Sequence, residues 1–374
     1  MLLAGAGLMI RTMANLVAID PGFEPDAVMT AQVTLPSARY SRPQRLAFFE
    51  AAVTRLLAIP GVTSAAFTVS LPVEGSNWNS VFVVNDQPVP ARADLPRAAF
   101  TPVTPDYHKT MGIQLLTGRL LKASDNAGAP EVIVVNEAFA RRFWAPGEAL
   151  GKRVKQGFPV DETPWREIVG IVRDVKTAGI DRPSMLQVYL PMAQEPLTGV
   201  ALVARAQGTV RPAAIEAAIH EVDPNLPVYE VRTMNEVIGR TVSHQRMTTA
   251  FLFGFAAIAL IMAAVGVFGV TAYTVSQRTR EMGVRIALGA TRGMVMRLVL
   301  REEVITCVAG IVVGLGGALA LASVLQSLVY GVTPRDPITL IVVSVVLLCV
   351  TLAAGFFPAR RATRIDPVAA LRAD

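Results

Sequence analysis

The sequence is short of charge and almost without cysteine. Charged residues make up 17% of its 374 residues, against about 25% in ordinary soluble domains. The two cysteines, Cys307 and Cys349, both fall inside apolar runs, which excludes a disulfide framework and is typical of small buried side chains. The length suggests two or three domains, and the low charge favours a membrane protein.

Three long stretches contain no Asp, Glu, Lys, Arg or His: Met247–Gln277, Val304–Pro334 and Pro337–Ala359. About 20 apolar residues cross a bilayer as a helix. We therefore predict transmembrane helices over residues 247–277, 304–330 and 338–358. Buried helices of a soluble core are the disfavoured alternative, because such helices rarely stay uncharged for so long. Gly310 and Gly314 form a GxxxG step that predicts a helix-packing face, although loosely tolerated glycines would look the same.

Arginines flank these runs unevenly. Six lie between Gln277 and Glu303, and four more follow Phe357. Because cytoplasmic loops are enriched in arginine, we predict that residues 278–303 and the tail 359–374 are cytoplasmic. The short link 331–337 and the large region 17–246 are then extracytoplasmic. The first segment is apolar for only ten residues before Arg11. We read residues 1–16 as a truncated first transmembrane helix, from a misassigned start or a longer protein.

The region 17–246 predicts an α+β domain with two strand–helix–strand units. The first runs from a strand at Ala27–Pro36 through a helix capped by Ser41, with Leu46, Phe49, Val53 and Leu57 on one face, to a strand ending at Pro72. The second begins at Gly199. Two such units favour a split βαβ, ferredoxin-like layer. The block between them, which includes "EVIVVNEAFARRFW" and "WREIVGIVRDV", predicts an inserted lobe.

No catalytic chemistry is visible in the sequence. His108, His220 and His244 are far apart and match no metal-ligand spacing, so we interpret each as a surface or hydrogen-bonded histidine. "GEALGKR" at 147–153 resembles a phosphate-binding loop but has three residues between its glycines instead of four, and we interpret it as a turn. The adjacent acids Glu302 and Glu303 would not face each other on a helix. We predict no catalytic residue, metal site or cofactor, and no ATP site.

The connection "QRTREMGVRIALGATRGMVMRLVLREE" and the tail "PARRATRIDPVAALRAD" closely resemble those of MacB/FtsX-type ABC transporter permeases. "GLMIRTMANLVAIDPGFEPDAVMTAQVTLP" resembles the junction between that family's first membrane helix and its periplasmic core domain. The resemblance covers essentially the whole chain. It implies a four-helix permease, here with three full spans and one truncated N-terminal span, and similarity to the C-terminal copy of a duplicated permease.

The resemblance also implies that the cytoplasmic connection docks on a separate ATPase. The coupling residues would be Arg280, Glu281, Gly283, Arg285, Ile286, Ala287, Leu288, Gly289 and Ala290. Arg278, Arg285 and Arg292 recur every seven residues, and one continuous helix would place them on one face; Gly289 and Gly293 are candidate breaks. Alternatively, the arginines only set membrane topology.

Three functions remain open at this point. A permease or mechanotransmission subunit would use ATP hydrolysis by a partner to move its outer domain, for efflux or for handling an envelope substrate. A membrane sensor would bind a ligand outside and have no ATPase partner. An envelope enzyme would need a catalytic cluster that the sequence does not offer. The permease reading implies a bacterial inner-membrane protein whose partners are an ABC ATPase, a second permease copy, a possible periplasmic protein and lipid, without nucleic acid.

Overall fold

The computed structural model describes residues 2–75, 79–208, 210–241, 243–278, 290–320 and 336–362, together with Glu281, Val284, Arg285 and Leu288. The chain divides into two units. The first, the helical unit, consists of residues 1–18, which include helix α1 (Leu2–Ala18), and residues 244–374. The second, the sheet unit, is Ile19–Ser243.

The described part of the sheet unit contains eleven strands, five α-helices and one 3₁₀ turn. The strands are β1 (Val28–Thr34), β2 (Val62–Thr68), β3 (Asn79–Val84), β4 (Arg97–Val103), β5 (Leu115–Gly118), β6 (Val132–Asn136), β7 (Arg153–Gln156), β8 (Trp165–Val172), β9 (Gln187–Pro191), β10 (Gly199–Ala206) and β11 (Val228–Thr233). The helices are α2 (Arg42–Leu57), α3 (Tyr107–Met111), α4 (Glu137–Phe143), α5 (Pro212–His220) and α6 (Met234–Thr241), and the 3₁₀ turn is Arg92–Asp94.

Two strand–helix–strand units interleave in one four-stranded layer. The strand order is β11-β1-β10-β2, and every neighbouring pair is antiparallel. Helices α2 and α5 pack against the strands through one apolar cluster, which includes Phe48, Phe67, Leu202 and Ile215. The first unit, β1–α2–β2, therefore closes only when β10 from the other end of the domain enters between its strands.

Helix α2 begins directly after Ser41, as the sequence predicts. Ser41 donates its backbone N–H to the Gln44 side chain at 2.9 Å, and a proline occupies the first turn, which suits the fixed backbone angle of that residue. The buried residues of α2 are Phe48, Phe49, Ala52 and Leu56. Three residues of the predicted stripe, Leu46, Phe49 and Val53, do pack on this core. The prediction is wrong for Leu57, which is 45% exposed, because the buried face is rotated slightly and takes up Leu56 instead.

The inserted block closes into a six-stranded barrel. Strand β4 pairs with β3, β3 with β7, β7 with β8, β8 with β6, β6 with β9, and β9 returns to β4. Alternate residues of these strands form a separate core, with Phe82, Phe100, Ile133, Ile168 and Leu190 among its members. Closure pairs the strands that would otherwise be edges, and so protects them from pairing with other chains.

Few hydrogen bonds join the barrel to the layer. Strands β2 and β4 share a single residue pair, Thr68 with Val103. Beyond it, Phe67 and Thr104 exchange two hydrogen bonds of 2.9 Å, one to the Thr104 hydroxyl and one to the Phe67 carbonyl. The two cores are therefore linked by a short seam rather than by a continuous ladder.

His108, on α3 beside this seam, contradicts the sequence-based interpretation of the histidines. It is completely buried, and neither ring nitrogen has a hydrogen-bond partner among the described residues. Its ring packs edge-on against Tyr189 with centroids 4.5 Å apart. Burial lowers the pKa of His108 to about 3, because an imidazolium there would lose its hydration. His220 does fit the interpretation, since its ring lies 3.1 Å from the Leu226 carbonyl oxygen.

We expect His108 to make the sheet unit sensitive to mild acid. Unfolding exposes the His108 imidazole and restores its ordinary pKa of 6.5. Between pH 6.5 and pH 3 the unfolded chain therefore binds a proton that the folded chain does not bind. The free energy of unfolding therefore falls by about 1.4 kcal/mol for each pH unit below 6.5. His108→Phe keeps a ring of similar size and should reduce the loss of stability between pH 7 and pH 5 by about 2 kcal/mol.

The measurement is urea unfolding of the detergent-solubilised chain, followed by tryptophan fluorescence at pH 7 and pH 5. All three tryptophans, at 78, 144 and 165, belong to the sheet unit, so the signal reports on that unit alone. His220→Gln serves as the control and should retain the wild-type pH dependence. An unchanged pH dependence in His108→Phe would contradict the assignment.

Candidate functional site

Among its described residues, the helical unit contains three further long helices: α7 (Ser243–Gln277), α8 (Arg292–Ala320) and α9 (Pro337–Ala362). Two of them, over Met247–Gln277 and Pro337–Arg360, are long and apolar enough to cross a membrane, and only 6% of the most apolar window of each is buried. Aromatic residues such as Phe251, Phe253 and Phe255 stand exposed on α7. Apolar surface of this extent marks a membrane or an interaction surface. The third predicted span, 304–330, runs beyond the described residues after Ala320.

A single carboxylate connects all three long helices. Glu303 on α8 accepts a hydrogen bond from the Thr271 hydroxyl on α7. On the other side it lies so close to Gly355 of α9 that any side chain there would overlap it. The sequence analysis missed this contact and noted Glu303 only as one of two adjacent acids. Its neighbour Glu302 points elsewhere and pairs with Arg278 at 2.9 Å, as adjacent positions on a helix require.

The contacts around Glu303 fix the direction and register of the helices. Glu303 lies opposite Gly355, and one turn further along α8 the Cys307 thiol lies 3.4 Å from the Thr351 hydroxyl. Helices α8 and α9 therefore run antiparallel. Close to Glu303, Val275, Val295, Val299 and Ala359 form a small buried apolar cluster. The end of α7, the beginning of α8 and the end of α9 thus converge in one place, which we call the convergence site.

A second polar contact lies at the opposite end of α9. Asp336 precedes α9 and accepts hydrogen bonds from the Thr339 backbone N–H at 3.0 Å and from its hydroxyl at 2.6 Å, which caps the helix. Arg11 of α1 forms an ion pair with the same carboxylate. Gly7 lets α1 approach, since a Cβ there would lie 2.8 Å from a Thr339 methyl group. Arg11 and Asp336 therefore lie together at one end of the helical unit.

The predicted coupling segment is described at four of its nine proposed residues. Arg285 pairs with Glu281 one helical turn away at 2.5 Å, and the Ala290 N–H donates to the Arg285 carbonyl at 2.9 Å. The Leu288 side chain is 84% exposed. The other predicted positions, Arg280, Gly283, Ile286, Ala287 and Gly289, lie outside the described residues.

The idea that Arg278, Arg285 and Arg292 share one continuous helix is wrong. Helix α7 ends at Gln277 and α8 begins at Arg292, while Ala290 and Thr291 are not helical. Gly293 lies inside α8 and does not break it. Arg278 instead reaches across to Glu302 and joins the convergence site.

The remaining sequence motifs have simpler outcomes. Gly147 and Gly151 of the "GEALGKR" stretch adopt positive φ values of 91° and 78°, and Lys152 pairs with Asp86 at 2.6 Å, so the stretch is a turn as predicted. Gly310 and Gly314 on α8 have no neighbour within 4 Å of a built Cβ in the described part of the chain. Their role as a packing face stays a prediction that would require another chain or segment.

Two protein-family models match the chain. Residues 4–222 match the MacB-like periplasmic core domain, and residues 253–367 match the FtsX-like permease C-terminal region. The macrolide export ATP-binding/permease protein MacB of Bartonella henselae is 31% identical over 292 residues, which cover 72% of this chain and 41% of that protein. The uncharacterized ABC transporter permease YknZ of Bacillus subtilis is 25% identical over 283 residues, covering 71% and 68%. The chain thus spans about two fifths of the MacB relative.

A solved structure is also similar. The periplasmic region of MacB from Actinobacillus actinomycetemcomitans aligns with 62% of this chain and 98% of its own length, at 15% identity and a TM-score of 0.38. A score this low carries no argument about function.

We expect the register of α8 against α9 to be testable by a disulfide. In a Cys349→Ser background, Thr351→Cys would place a second thiol next to Cys307, because the present sulfur–oxygen distance is 3.4 Å and bridged cysteines need Cα atoms about 4.4–6.8 Å apart. Mild oxidation should remove both thiols from labelling by a maleimide–polyethylene glycol reagent. The exposed position Val345 provides the control, since Val345→Cys should stay reduced. Equal oxidation of both variants, or none in Thr351→Cys, would contradict the register.

Proposed function

The chain belongs to the ABC transporter permease family that combines a MacB-like periplasmic core domain with an FtsX-like permease region, and we propose that it transmits motion between a cytoplasmic ATPase and its periplasmic domain. In this proposal α7, α8 and α9 cross the bacterial inner membrane and α1 is part of a further span. The sheet unit, corresponding to the predicted region 17–246, lies outside the cytoplasm. Its interleaved strand order supports the ferredoxin-like assignment of the four-stranded layer.

The position of the charges supports this topology. Arg278, Glu302 and the predicted coupling segment belong to the end of the helical unit where the arginines accumulate, and cytoplasmic loops are the arginine-rich ones. The Arg11–Asp336 pair lies at the other end and carries no net charge, as expected for the short extracytoplasmic link 331–337. The charge-free middle of each helix would lie in the hydrocarbon.

The observation that carries the functional proposal is the convergence site beside the coupling segment. The segment combines an exposed leucine with a Glu281–Arg285 pair, a combination suited to docking on a protein surface, where apolar anchors give affinity and charges give register. Because Glu303 touches both α7 and α9, a displacement of the segment would move three helices together. Coupling to motion outside the membrane would follow without any catalytic residue in this chain.

The partners follow from the same proposal. The MacB relatives carry "ATP-binding/permease" in their names, and the region similar to this chain is about two fifths of the named protein. We infer that ATP hydrolysis for this permease comes from outside the residues described here, in an ABC ATPase partner. A second permease copy would complete the membrane unit, with Gly310 and Gly314 as a candidate contact. Efflux or the handling of an envelope substrate, with or without a periplasmic partner, is the resulting task.

Reversal of one ion pair tests the docking role. In Glu281→Arg/Arg285→Glu the two side chains can still pair along the helical turn, so the segment keeps its local structure but presents inverted charges to the partner. We expect the amount of ABC ATPase that co-purifies from native membranes at low salt to fall at least about ten-fold, because reversed charges at a docked interface cost more than 1.4 kcal/mol.

The matched control is Glu137→Arg/Arg141→Glu, which reverses an equivalent pair of 2.8 Å on α4 in the sheet unit and should leave the ATPase bound. Retention of the ATPase by the coupling-segment variant would show that the arginines serve topology only. Absence of any ATPase from the wild-type preparation would favour the membrane-sensor alternative.

A further inference from the structure

A cavity of about 320 Å³ opens in the sheet unit beside α2. Its floor is apolar and built from both halves of the unit: Phe49 and Ala65 come from the four-stranded layer, whereas Val103 and Met192 end or follow barrel strands. All four side chains are buried. The volume falls at the lower end of the range for small-molecule sites, roughly 300–1,000 Å³.

The sequence of α2 provides a separate reason to regard this cavity as a site. Leu46, Phe49 and Val53 recur at helical spacing and pack against the layer core. They also line the cavity, and Leu46 and Val53 are only half-buried. One edge of the apolar face of α2 therefore remains open to the cavity.

The rim of the cavity has more acidic than basic side chains without an ion-pair partner. Glu50, Asp106 and Lys122 all line it and are exposed, and none of their side chains has a hydrogen bond or ion pair among the described residues. The third acid, Asp125, is neutralised by Arg119, whose two terminal nitrogens donate to it at 2.7 and 2.9 Å. Two acids thus face one lysine, a balance that favours a cation.

We propose that this cavity binds a compact apolar molecule that carries an ammonium group. The apolar body lies against Phe49, Val53 and Met192, and the ammonium lies at the rim near Glu50 and Asp106. The affinity comes mainly from the buried apolar area, and the acids supply the preference for a cation. The site belongs to the sheet unit alone and is independent of the ATPase proposal, because binding is measured on this chain without an ATPase.

The position of the cavity gives binding a mechanical consequence. Among the described strands, the layer and the barrel are paired at Thr68 and Val103 and by the hydrogen bonds between Phe67 and Thr104, and loop hydrogen bonds such as that from the Val73 N–H to the Lys176 carbonyl add to this seam. A molecule in the cavity would contact residues of both the layer and the barrel, and would restrict movement of one relative to the other. Occupancy is therefore expected to stabilise the sheet unit as a whole, by mass action on its folded form.

The test uses the full chain in lipid nanodiscs and three probes with the same cage-shaped body. Adamantan-1-amine is cationic at pH 7, adamantan-1-ol is neutral and adamantane-1-carboxylate is anionic. Binding is measured by equilibrium dialysis, with the uptake by empty nanodiscs subtracted. The amine should bind at least five-fold more tightly than the alcohol, since exposed charge pairs contribute up to about 1 kcal/mol each, and the carboxylate more weakly still.

Two variants locate the binding. Val53 is half-buried, so Val53→Phe can place a phenyl ring in the cavity, and it should weaken amine binding at least ten-fold. Ala51→Phe, on an exposed position of α2 that does not line the cavity, is the matched control and should bind as the wild type does. Glu50→Gln with Asp106→Asn should remove the preference for the amine over the alcohol while both still bind.

Tryptophan fluorescence checks that each variant is folded. No binding above empty nanodiscs, equal binding of all three probes, or amine binding that survives Val53→Phe would overturn the proposal. If Val53→Phe does not fold, the Glu50→Gln/Asp106→Asn variant decides the matter, because its loss of discrimination depends on the rim charges and not on the apolar floor.

Discussion

The helical unit depends on the position of one carboxylate. Long apolar helices have little reason to choose one register over another, because lipid solvates any apolar face equally well. Glu303 removes that freedom. The carboxylate lies where three helices meet. One oxygen accepts a hydrogen bond from the Thr271 hydroxyl, and the other lies in the space left by the missing side chain of Gly355, without a hydrogen-bond partner among the described residues. A shift of α8 by one turn would leave the carboxylate against apolar side chains, at a cost of several kcal/mol. The apolar cluster of Val275, Val295, Val299 and Ala359 then packs around a register that is already fixed.

The sheet unit is stabilised differently, because the layer and the barrel each have an apolar core of their own. The layer is interleaved, so that neither strand–helix–strand unit can leave without breaking strand pairs with the other. The barrel pairs its strands in a closed ring. Strand pairing between the two parts is limited to the single residue pair of β2 and β4. His108, whose ring nitrogens have no hydrogen-bond partner among the described residues, and the cavity beside α2 both lie near that pair.

The sequence predicted the kinds of element better than their assembly. Strand–helix–strand patterns, the Ser41 helix start and the apolar helices are local and follow from periodicity and caps. The structure has the first two, and its described residues include two helices that are long and apolar enough to cross a membrane. Closure of the barrel depends on β9 pairing with both β4 and β6, which no local pattern encodes. On α2 the sequence predicted burial of Leu57, whereas its neighbour Leu56 is buried, because spacing alone does not decide between adjacent leucines at the edge of an apolar face. His108 was misjudged because a lone histidine in a short helix carries no sign of burial. At the convergence site, Gly355 is separated from Glu303 by more than fifty residues, so no local pattern in the sequence predicts their contact.

These differences share a physical cause that also bears on function. Local sequence patterns assign each residue one set of contacts. The residues that were predicted incorrectly or overlooked have two sets. Phe49 belongs to the layer core and to the cavity floor. Glu303 joins α7 to α9 where a sequence reading sees only a charge next to a membrane span. Residues with two sets of neighbours transmit displacement, since neither set can move without disturbing the other. The convergence site and the cavity floor both contain such residues.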